Sequence, residues 1–131
     1  MSARDVMESY VGAARRGDFD AAFGHFADDI VFRIPGRSDF AGEHHGREAA
    51  MAYIDHARAL SREHEVQVDV VDALASEERF ALLVRELFHR DGEILEIRRA
   101  NVYRVAGEEI VEIWIFEGDQ YAVDALMAST A

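Results

Sequence analysis

The sequence contains no cysteine, only one proline and no apolar run near the roughly 20 residues of a membrane span. Without cysteine the chain can have no disulfide, thiol nucleophile or thiolate metal site, which suits a cytoplasmic protein. The N-terminus lacks the apolar core of a signal peptide. Half of the 131 residues are hydrophobic, so we expect one ordered globular domain, residues 1–131, with a single core.

Positive charge is also scarce, because 14 basic residues face 26 acidic ones and the formal net charge is −12. This charge disfavours nucleic acid and anionic membranes as partners. There is no phosphate-cradling glycine loop and no Gly-x-Ser-x-Gly elbow, which disfavours nucleotide use and serine hydrolysis. The histidines lack metal-ligand spacing, so we expect neither a metal nor another cofactor. A neutral or weakly charged organic ligand is the easier expectation.

The most informative stretch is a predicted hairpin formed by residues 80–90 and 93–105. Its two strands are joined by Asp91-Gly92, and such a two-residue link between alternating runs is a strong hairpin signal. The link also fixes the register of the two strands. The predicted cross-strand pairs are Arg90 with Glu93, Glu86 with Ile97, Val84 with Arg99, and Leu82 with Asn101.

One face of this hairpin is the more apolar, and we predict that it points inward. Three polar side chains, Glu86, Arg99 and Asn101, interrupt that face. A buried charge is costly unless it is paired, and Glu86 and Arg99 are diagonal neighbours that can pair. Two interpretations remain open: a structural ion pair at a sheet rim, or the polar floor of a ligand cavity. The inward set is Phe80, Leu82, Val84, Glu86 and Phe88, with Leu95, Ile97, Arg99, Asn101 and Tyr103.

The rest of the chain predicts helices and further strands around this hairpin. We expect helices over 3–16, 19–26, 47–60 and from 119 to about 127, and strands over 29–34, 64–75 and 110–117. Asp18 and Asp119 are expected to cap helices. Residues 35–46 read as a polar loop, long enough to be a lid over a binding site. Helices on one side of a mostly antiparallel sheet make an α+β fold, and a curved sheet would form a cone with an apolar interior.

The last strand carries a second prediction, for a subunit interface. We expect Val111, Ile113, Ile115 and Glu117 to point inward. Trp114 and Phe116 then lie on the outer face beside Leu83 and Leu87. Two large aromatic residues on a solvent-facing sheet are typical of an interface, so we predict a homodimer through this face. The alternative is that the C-terminal helix covers it.

Two segments carry a family resemblance. The opening ESYVGAARRGDFDAAFGHFADDIVFRIP, with its aromatic-Val-x-Ala-Ala helix, Gly-Asp-Phe-Asp cap and strand ending in proline, resembles bacterial ketosteroid isomerase within the nuclear-transport-factor-2-like superfamily. The segment RRANVYRVAGEEIVEIWIFEGDQYAVD resembles the SnoaL-like proteins of that superfamily. The resemblance spans essentially the whole chain. It implies a cystatin-like α+β barrel, in which a curved, mostly antiparallel sheet wraps around N-terminal helices. It implies no particular reaction, since this fold hosts many unrelated functions.

The resemblance assigns roles only where residues match. Tyr10 occupies the place of the isomerase's oxyanion-binding tyrosine, and Asn101 that of its protonated aspartate. The isomerase's general base is replaced by Ile34, which disfavours steroid isomerisation by that mechanism. Limonene epoxide hydrolase, another superfamily member, has an Arg-x-Asp pattern that reads Arg99-Ala100-Asn101 here. The position of its second carboxylate is Phe116, so water activation by that triad is also disfavoured.

These observations predict a small-molecule site built around Glu86. Glu86 would act as acid or base, Arg99 would tune it, and Tyr10 and Asn101 would hold a ligand carbonyl. Asp39 is a second candidate for the missing base. The expected function is isomerisation or cyclisation of a hydrophobic carbonyl compound by proton transfer; the alternatives are a non-catalytic binding protein and a dimeric interaction module. The expected ligand-binding residues are Phe88, Val84, Ile97, Tyr103, Ile113, Ile115, Glu117, Ile34, His44 and His45.

Overall fold

A computed structural model gives the structure of residues 1–128. Its helices are α1 (Ala3–Arg15), α2 (Phe19–Phe23), α3 (Arg47–Ala59) and α4 (Gln120–Met127). Its strands are β1 (Phe26–Ile34), β2 (Gly42–His45), β3 (Gln67–Ala75), β4 (Arg79–Arg90), β5 (Glu93–Ala106) and β6 (Glu109–Glu117). Within this part of the chain the strands form one sheet in the order β2-β1-β6-β5-β4-β3. The β1–β6 pair is parallel and the other pairs are antiparallel, so the α+β prediction is confirmed.

The β4–β5 hairpin has the predicted register. Glu86 lies opposite Ile97, Val84 opposite Arg99 and Leu82 opposite Asn101. Asp91 has φ 53° and Gly92 has φ 79°, the positive values that a type I′ turn needs because its twist matches that of the strands. The turn therefore sets the register, and the register puts the three polar side chains on the inner face.

Helix α1 packs its apolar stripe against that inner face. Val6, Tyr10 and Ala13 are buried in the same core cluster as Phe80 and Leu82. The N-terminus of α1 is held by a capping box, in which Ser2 and Asp5 each bond the other's backbone N–H. The predicted caps Asp18 and Asp119 also accept backbone hydrogen bonds at the starts of α2 and α4.

Two local predictions were wrong. The polar segment 35–46 is not a loop throughout, because residues 42–45 pair with β1 as the edge strand β2. Val111 was expected inward, but a register shift between β5 and β6 buries Ile110 instead, and Val111 is only half-buried.

The C-terminal helix does not cover the outer face of the sheet. Val123 and Leu126 of α4 pack with Leu60, Phe88 and Ile97, which lie on the inner side. The outer face therefore keeps exposed apolar side chains, including Phe116 at 55% and Leu83 at 39%. No helix in the described residues is long and apolar enough to span a bilayer.

Two glycines give opposite predictions for substitution by alanine. A Cβ at Gly92 would meet no atom within 4 Å, but its φ of +79° is unfavourable for alanine, so Gly92→Ala should destabilise the fold by about 1–2 kcal/mol. Gly12 lies inside α1, where an added Cβ makes only an ordinary contact with Arg16 at 3.5 Å. Gly12→Ala should therefore stabilise the fold by about 0.5–1 kcal/mol. Urea unfolding of both variants measures the two changes, and a Gly92→Ala variant as stable as the wild type would contradict the assigned turn.

Candidate functional site

A mostly apolar hollow of about 130 Å³ lies between the inner face of the sheet and helices α1, α2 and α3. Phenylalanine, valine and isoleucine side chains form half of its wall. Its polar groups come from two sources. Tyr10, Tyr53 and Arg58 come from the helices, and Glu86, Arg99, Asn101 and Tyr103 come from the central strands.

Arg99 stands between two carboxylates from neighbouring strands. Its Nε donates to Glu117 Oε1 at 2.9 Å, and its Nη1 lies 3.3 Å from Glu86 Oε2. The three side chains are nearly withdrawn from solvent, with exposed fractions of 7% for Arg99, 1% for Glu117 and 14% for Glu86. The predicted Glu86–Arg99 pair is thus present, and Glu117 joins it.

Burial and charge act in opposite directions on this cluster. Burial alone would lower the pKa of Arg99, but Glu86, Tyr53 and Glu117 raise it above its ordinary value, so the guanidinium stays charged. Burial raises the pKa of Glu117, and Arg99 offsets this only in part. With both carboxylates ionised, the cluster holds one formal negative charge in excess. That excess charge lies beside the hollow.

A second polar cluster joins Tyr10, Tyr103 and Asn101. The hydroxyls of Tyr10 and Tyr103 share a hydrogen bond, and the Tyr103 oxygen also accepts from Asn101 Nδ2 at 3.4 Å. Burial raises the pKa of Tyr103 to about 12 and that of Tyr10 well above its ordinary value, so both hydroxyls stay protonated at neutral pH. Within the described residues, Asn101 Oδ1 and Glu117 Oε2 are buried without a hydrogen-bond partner.

The structure divides the predicted site residues into two groups. Those that line the hollow are Tyr10, Val84, Glu86, Arg99, Asn101, Tyr103, Ile113 and Ile115. Glu117 lies behind Arg99 rather than on the wall. Phe88 and Ile97 do not line the hollow, because α4 and Leu60 cover them in a separate core. Ile34 is buried in the main core away from the wall.

The loop residues predicted to enter the site also lie elsewhere. His44 sits on the edge strand β2, with its Nε2 2.5 Å from the Phe40 carbonyl oxygen. The His45 side chain is 69% exposed and bonds to Glu43, while Asp39 is exposed. Pairing of β2 with β1 holds this segment at the edge of the sheet, so it does not line the hollow.

Two residues of α3 belong to the site although no sequence signal singled them out. Tyr53 accepts a hydrogen bond from Arg99 and lines the hollow. Arg58 places its guanidinium 5.0 Å from the ring centroid of Phe19. The only sequence feature that could have indicated Tyr53 is its position three residues after Ala50, which places both side chains on the same face of the helix. In residues 1–128 no group of three or more metal-ligating side chains is arranged to hold a metal ion.

Removal of Arg99 tests how far the cluster depends on its cation. Arg99→Met leaves two buried carboxylates without their partner, and we expect a loss of about 3–5 kcal/mol in unfolding free energy at pH 7. Nothing would then offset the burial that raises the pKa of Glu117, so the folded state binds its proton more tightly than the unfolded chain does. Stability should therefore recover as the pH falls from 7 towards the ordinary glutamate pKa of about 4.3.

Arg98 is the matched control for this measurement. Its side chain is 65% exposed and bonds to Glu96 at 2.8 Å on the surface. Arg98→Met should change stability by less than about 1 kcal/mol. Chemical unfolding of both variants between pH 4.5 and 7 makes the comparison, and a loss in Arg99→Met that does not vary with pH would contradict the charge assignment.

Comparisons with known proteins agree with this architecture. A family model described as the SnoaL-like domain matches residues 7–113. A protein of unknown function with a cystatin-like fold from Xanthomonas campestris superposes with a TM-score of 0.81 at 23% identity, covering 98% of this chain and 100% of the other. An NTF2-like protein of unknown function from Burkholderia pseudomallei superposes with a TM-score of 0.74 at 19% identity, over 98% and 100% of the two chains.

A third similar structure comes from a co-crystallization with an organic molecule. It is TerC co-crystallized with polyporic acid, with a TM-score of 0.76 and 10% identity over 95% of this chain and 97% of the other. No curated protein is matched by the sequence. The structural likenesses show a shared fold, and the family model covers most of the chain. The chain therefore belongs to the SnoaL-like domain family and has the NTF2-like fold.

Proposed function

We propose that this protein binds a small hydrophobic carbonyl compound in the hollow and transfers a proton on it, as an isomerase or cyclase does. The observation that carries the proposal is the position of Glu86, whose carboxylate is at the wall of an apolar hollow beside an arginine that a second carboxylate already neutralises. That TerC, a protein of the same fold, was co-crystallized with an organic molecule gives further support to small-molecule binding.

The two carboxylates on Arg99 have different roles in this proposal. Glu117 makes the shorter contact, at 2.9 Å, and is the more deeply buried of the two. It acts as the structural counter-charge of Arg99. Glu86 is then the surplus carboxylate, and it is the one that lines the hollow. A carboxylate in an apolar site is a suitable general base.

The proposed step moves one proton and breaks one C–H bond. Glu86 removes a proton from the carbon next to the ligand carbonyl, and the bonding electrons move onto the carbonyl oxygen to give an enolate. In an isomerisation Glu86 returns the proton to another carbon of the same conjugated system. In a cyclisation the enolate carbon attacks a second carbonyl carbon of the same ligand, the π bond of that carbonyl breaks, and its oxygen takes the proton back from Glu86. A hydrogen-bond donor at the oxygen stabilises the enolate in either reaction.

Tyr103 is the best-placed donor for that oxygen. In this proposal the hydrogen bond between the two tyrosines uses the Tyr10 proton, and Asn101 also donates to Tyr103. The Tyr103 oxygen thus accepts two hydrogen bonds, which leaves its own proton for the ligand. In this proposal Tyr10 and Asn101 position Tyr103 instead of both contacting the carbonyl, which was the expectation from sequence.

The volume of the hollow limits the ligand to about one ring. An apolar protein cavity of about 150 Å³ holds benzene, and the hollow measures about 130 Å³. The proposed ligand therefore fills this space with a single ring or a short branched chain. A steroid skeleton would exceed it.

Glu86→Gln tests the proton transfer without knowledge of the natural substrate. The wild-type protein should accelerate exchange of the α-hydrogens of cyclohexanone for deuterium in D₂O, followed by NMR. Glu86→Gln should lose about 10²–10⁴-fold of that acceleration, because glutamine has a similar shape but cannot accept the proton, while cyclohexanone binding persists. The control is Glu96→Gln, since Glu96 bonds to Arg98 on the outer face and should not affect exchange.

Two outcomes would change the proposal. Equal exchange in Glu86→Gln and wild type would remove Glu86 from the mechanism. Binding of cyclohexanone by the wild type without exchange would favour the second candidate, a non-catalytic binding protein. The observation that favours this candidate is the Glu86–Arg99 ion pair, which can be purely structural.

We also propose that the protein forms a homodimer through the outer face of the sheet. Such a dimer would support the other alternative function, a dimeric interaction module. Trp114 lies beneath Arg33 at 4.9 Å and near Arg79 at 6.0 Å. Leu83 and Phe116 are exposed, and Leu87 is half-buried. A large apolar patch with a polar rim is typical of a subunit interface.

A charge at the centre of this outer face tests the dimer. Phe116→Asp should halve the molar mass measured by light scattering after gel filtration, because an unpaired carboxylate would be buried in the interface. Tyr121→Asp is the control, since Tyr121 is 90% exposed on α4 and lies outside the proposed interface. A wild-type protein that is monomeric at the concentrations used would contradict the dimer directly.

A further inference from the structure

The hollow adjoins a second, more polar depression at the C-terminal end of α3. This basin has a volume of about 420 Å³ and is lined by residues 55, 58–59 and 61–66. Arg58 and Val66 line both the basin and the hollow. The boundary between α3 and the segment leading into β3 is therefore the mouth of the hollow, and Arg58 stands at it.

Contact with an aromatic ring holds Arg58 at this mouth. Its guanidinium lies 5.0 Å from the ring centroid of Phe19, a separation typical of a cation–π contact. Phe19 lines the hollow but not the basin. The positive charge of Arg58 therefore lies on the side of the mouth that faces the hollow. The residue is half-buried.

Arg58 differs from the other arginine of the hollow in its partners. Arg99 contacts two carboxylates. Among the ion pairs of residues 1–128, none involves Arg58. This is notable in a chain with 26 acidic residues and a net charge of −12. A half-buried cation without a counter-ion at the mouth of a cavity is suited to an anionic group of a ligand.

The acidic residues nearby favour one position for that anion. Asp55, Glu63 and Glu65 line the basin and would repel a negative group placed there. The same residues do not line the hollow. An anion is therefore best accommodated against Arg58 at the hollow's edge, with the rest of the ligand inside.

We propose that Arg58 binds a carboxylate of the ligand, so that the ligand is a small keto acid whose apolar body lies in the hollow. Its carbonyl lies at Tyr103 and its carboxylate at Arg58. This proposal rests on the proposed binding of a carbonyl compound and adds the second polar group. The net charge alone favoured a neutral or weakly charged ligand. A local cation at the site can nevertheless make binding of an anionic ligand favourable, even when the protein as a whole repels anions.

The test compares two ring ketones that differ only in charge. The probes are 4-oxocyclohexanecarboxylate and its neutral analogue 4-oxocyclohexanecarboxamide, with dissociation constants measured by titration calorimetry. The wild-type protein should bind the carboxylate about tenfold more tightly than the carboxamide. Arg58→Gln should bind both probes equally. Arg58→Lys should keep part of the preference, since it keeps the charge but loses the planar donor pair.

Arg62→Gln is the matched control. Arg62 also lines the basin, but it pairs with Asp91 at 3.4 Å and does not line the hollow. This variant should keep the full preference for the carboxylate. Equal binding of the two probes by the wild type, or a preference that survives in Arg58→Gln, would overturn the role of Arg58 and leave the carbonyl site intact. Failure of the wild type to bind either probe would overturn the carbonyl site and the role of Arg58 together.

Discussion

The ion cluster of Glu86, Arg99 and Glu117 is the constraint on which the sheet and the site both depend. Its members come from three adjacent strands, β4, β5 and β6, and each is mostly withdrawn from solvent. Burial of an ion costs several kcal/mol unless its partner is in place. The cluster is therefore tolerated only in the register that the structure has. A slip of one residue in any of the three strands would turn one member to the outer face and remove its contacts with the cluster.

The same register that pairs the charges also orders the neutral donors beside them. Asn101 and Tyr103 follow Arg99 at steps of two along β5, so all three point inward. Phe80 stacks on the Tyr103 ring with centroids 4.4 Å apart and an interplanar angle of 12°. Tyr10 contacts the same ring from α1, with centroids 5.3 Å apart. The Tyr103 hydroxyl is thus held by rigid neighbours, which favours a fixed donor over an adaptable one.

Turn chemistry and side-chain alternation were sufficient to predict the hairpin, but they were insufficient to predict the elements that pack around it. The Asp91-Gly92 turn and the period-two alternation fix the register of β4 and β5 without knowledge of the rest of the chain. The edge strand β2 has no apolar alternation, and it forms because β1 offers a free edge for its backbone. The participation of Tyr53 depends on how α3 lies on the sheet, which the spacing of its side chains does not specify. Glu117 was predicted to face inward, but its contact with Arg99 required the β5–β6 register.

The size of the hollow depends on a long-range contact that no sequence pattern indicated. The inner face of the hairpin has two parts that differ in what covers them. The side chains near the turn, Phe88 and Ile97, are covered by α4, whereas those in the middle of the strands line the hollow. Residues after β1 help to position α4, because the Arg37 N–H donates to Asp124 Oδ1 at 3.1 Å and Gly36 packs against the side-chain ends of Asp124 and Gln120.

Covering Phe88 and Ile97 removes one end of the inner face from the hollow. The remaining volume accommodates about one ring, and Glu86 and Tyr103 both line it. A proton acceptor and an oxyanion donor that serve the same carbonyl compound must lie only a few ångströms apart, since the reacting carbon adjoins the carbonyl. In the proposed mechanism, the position of α4 therefore keeps the ligand small enough for both groups to act on one carbonyl.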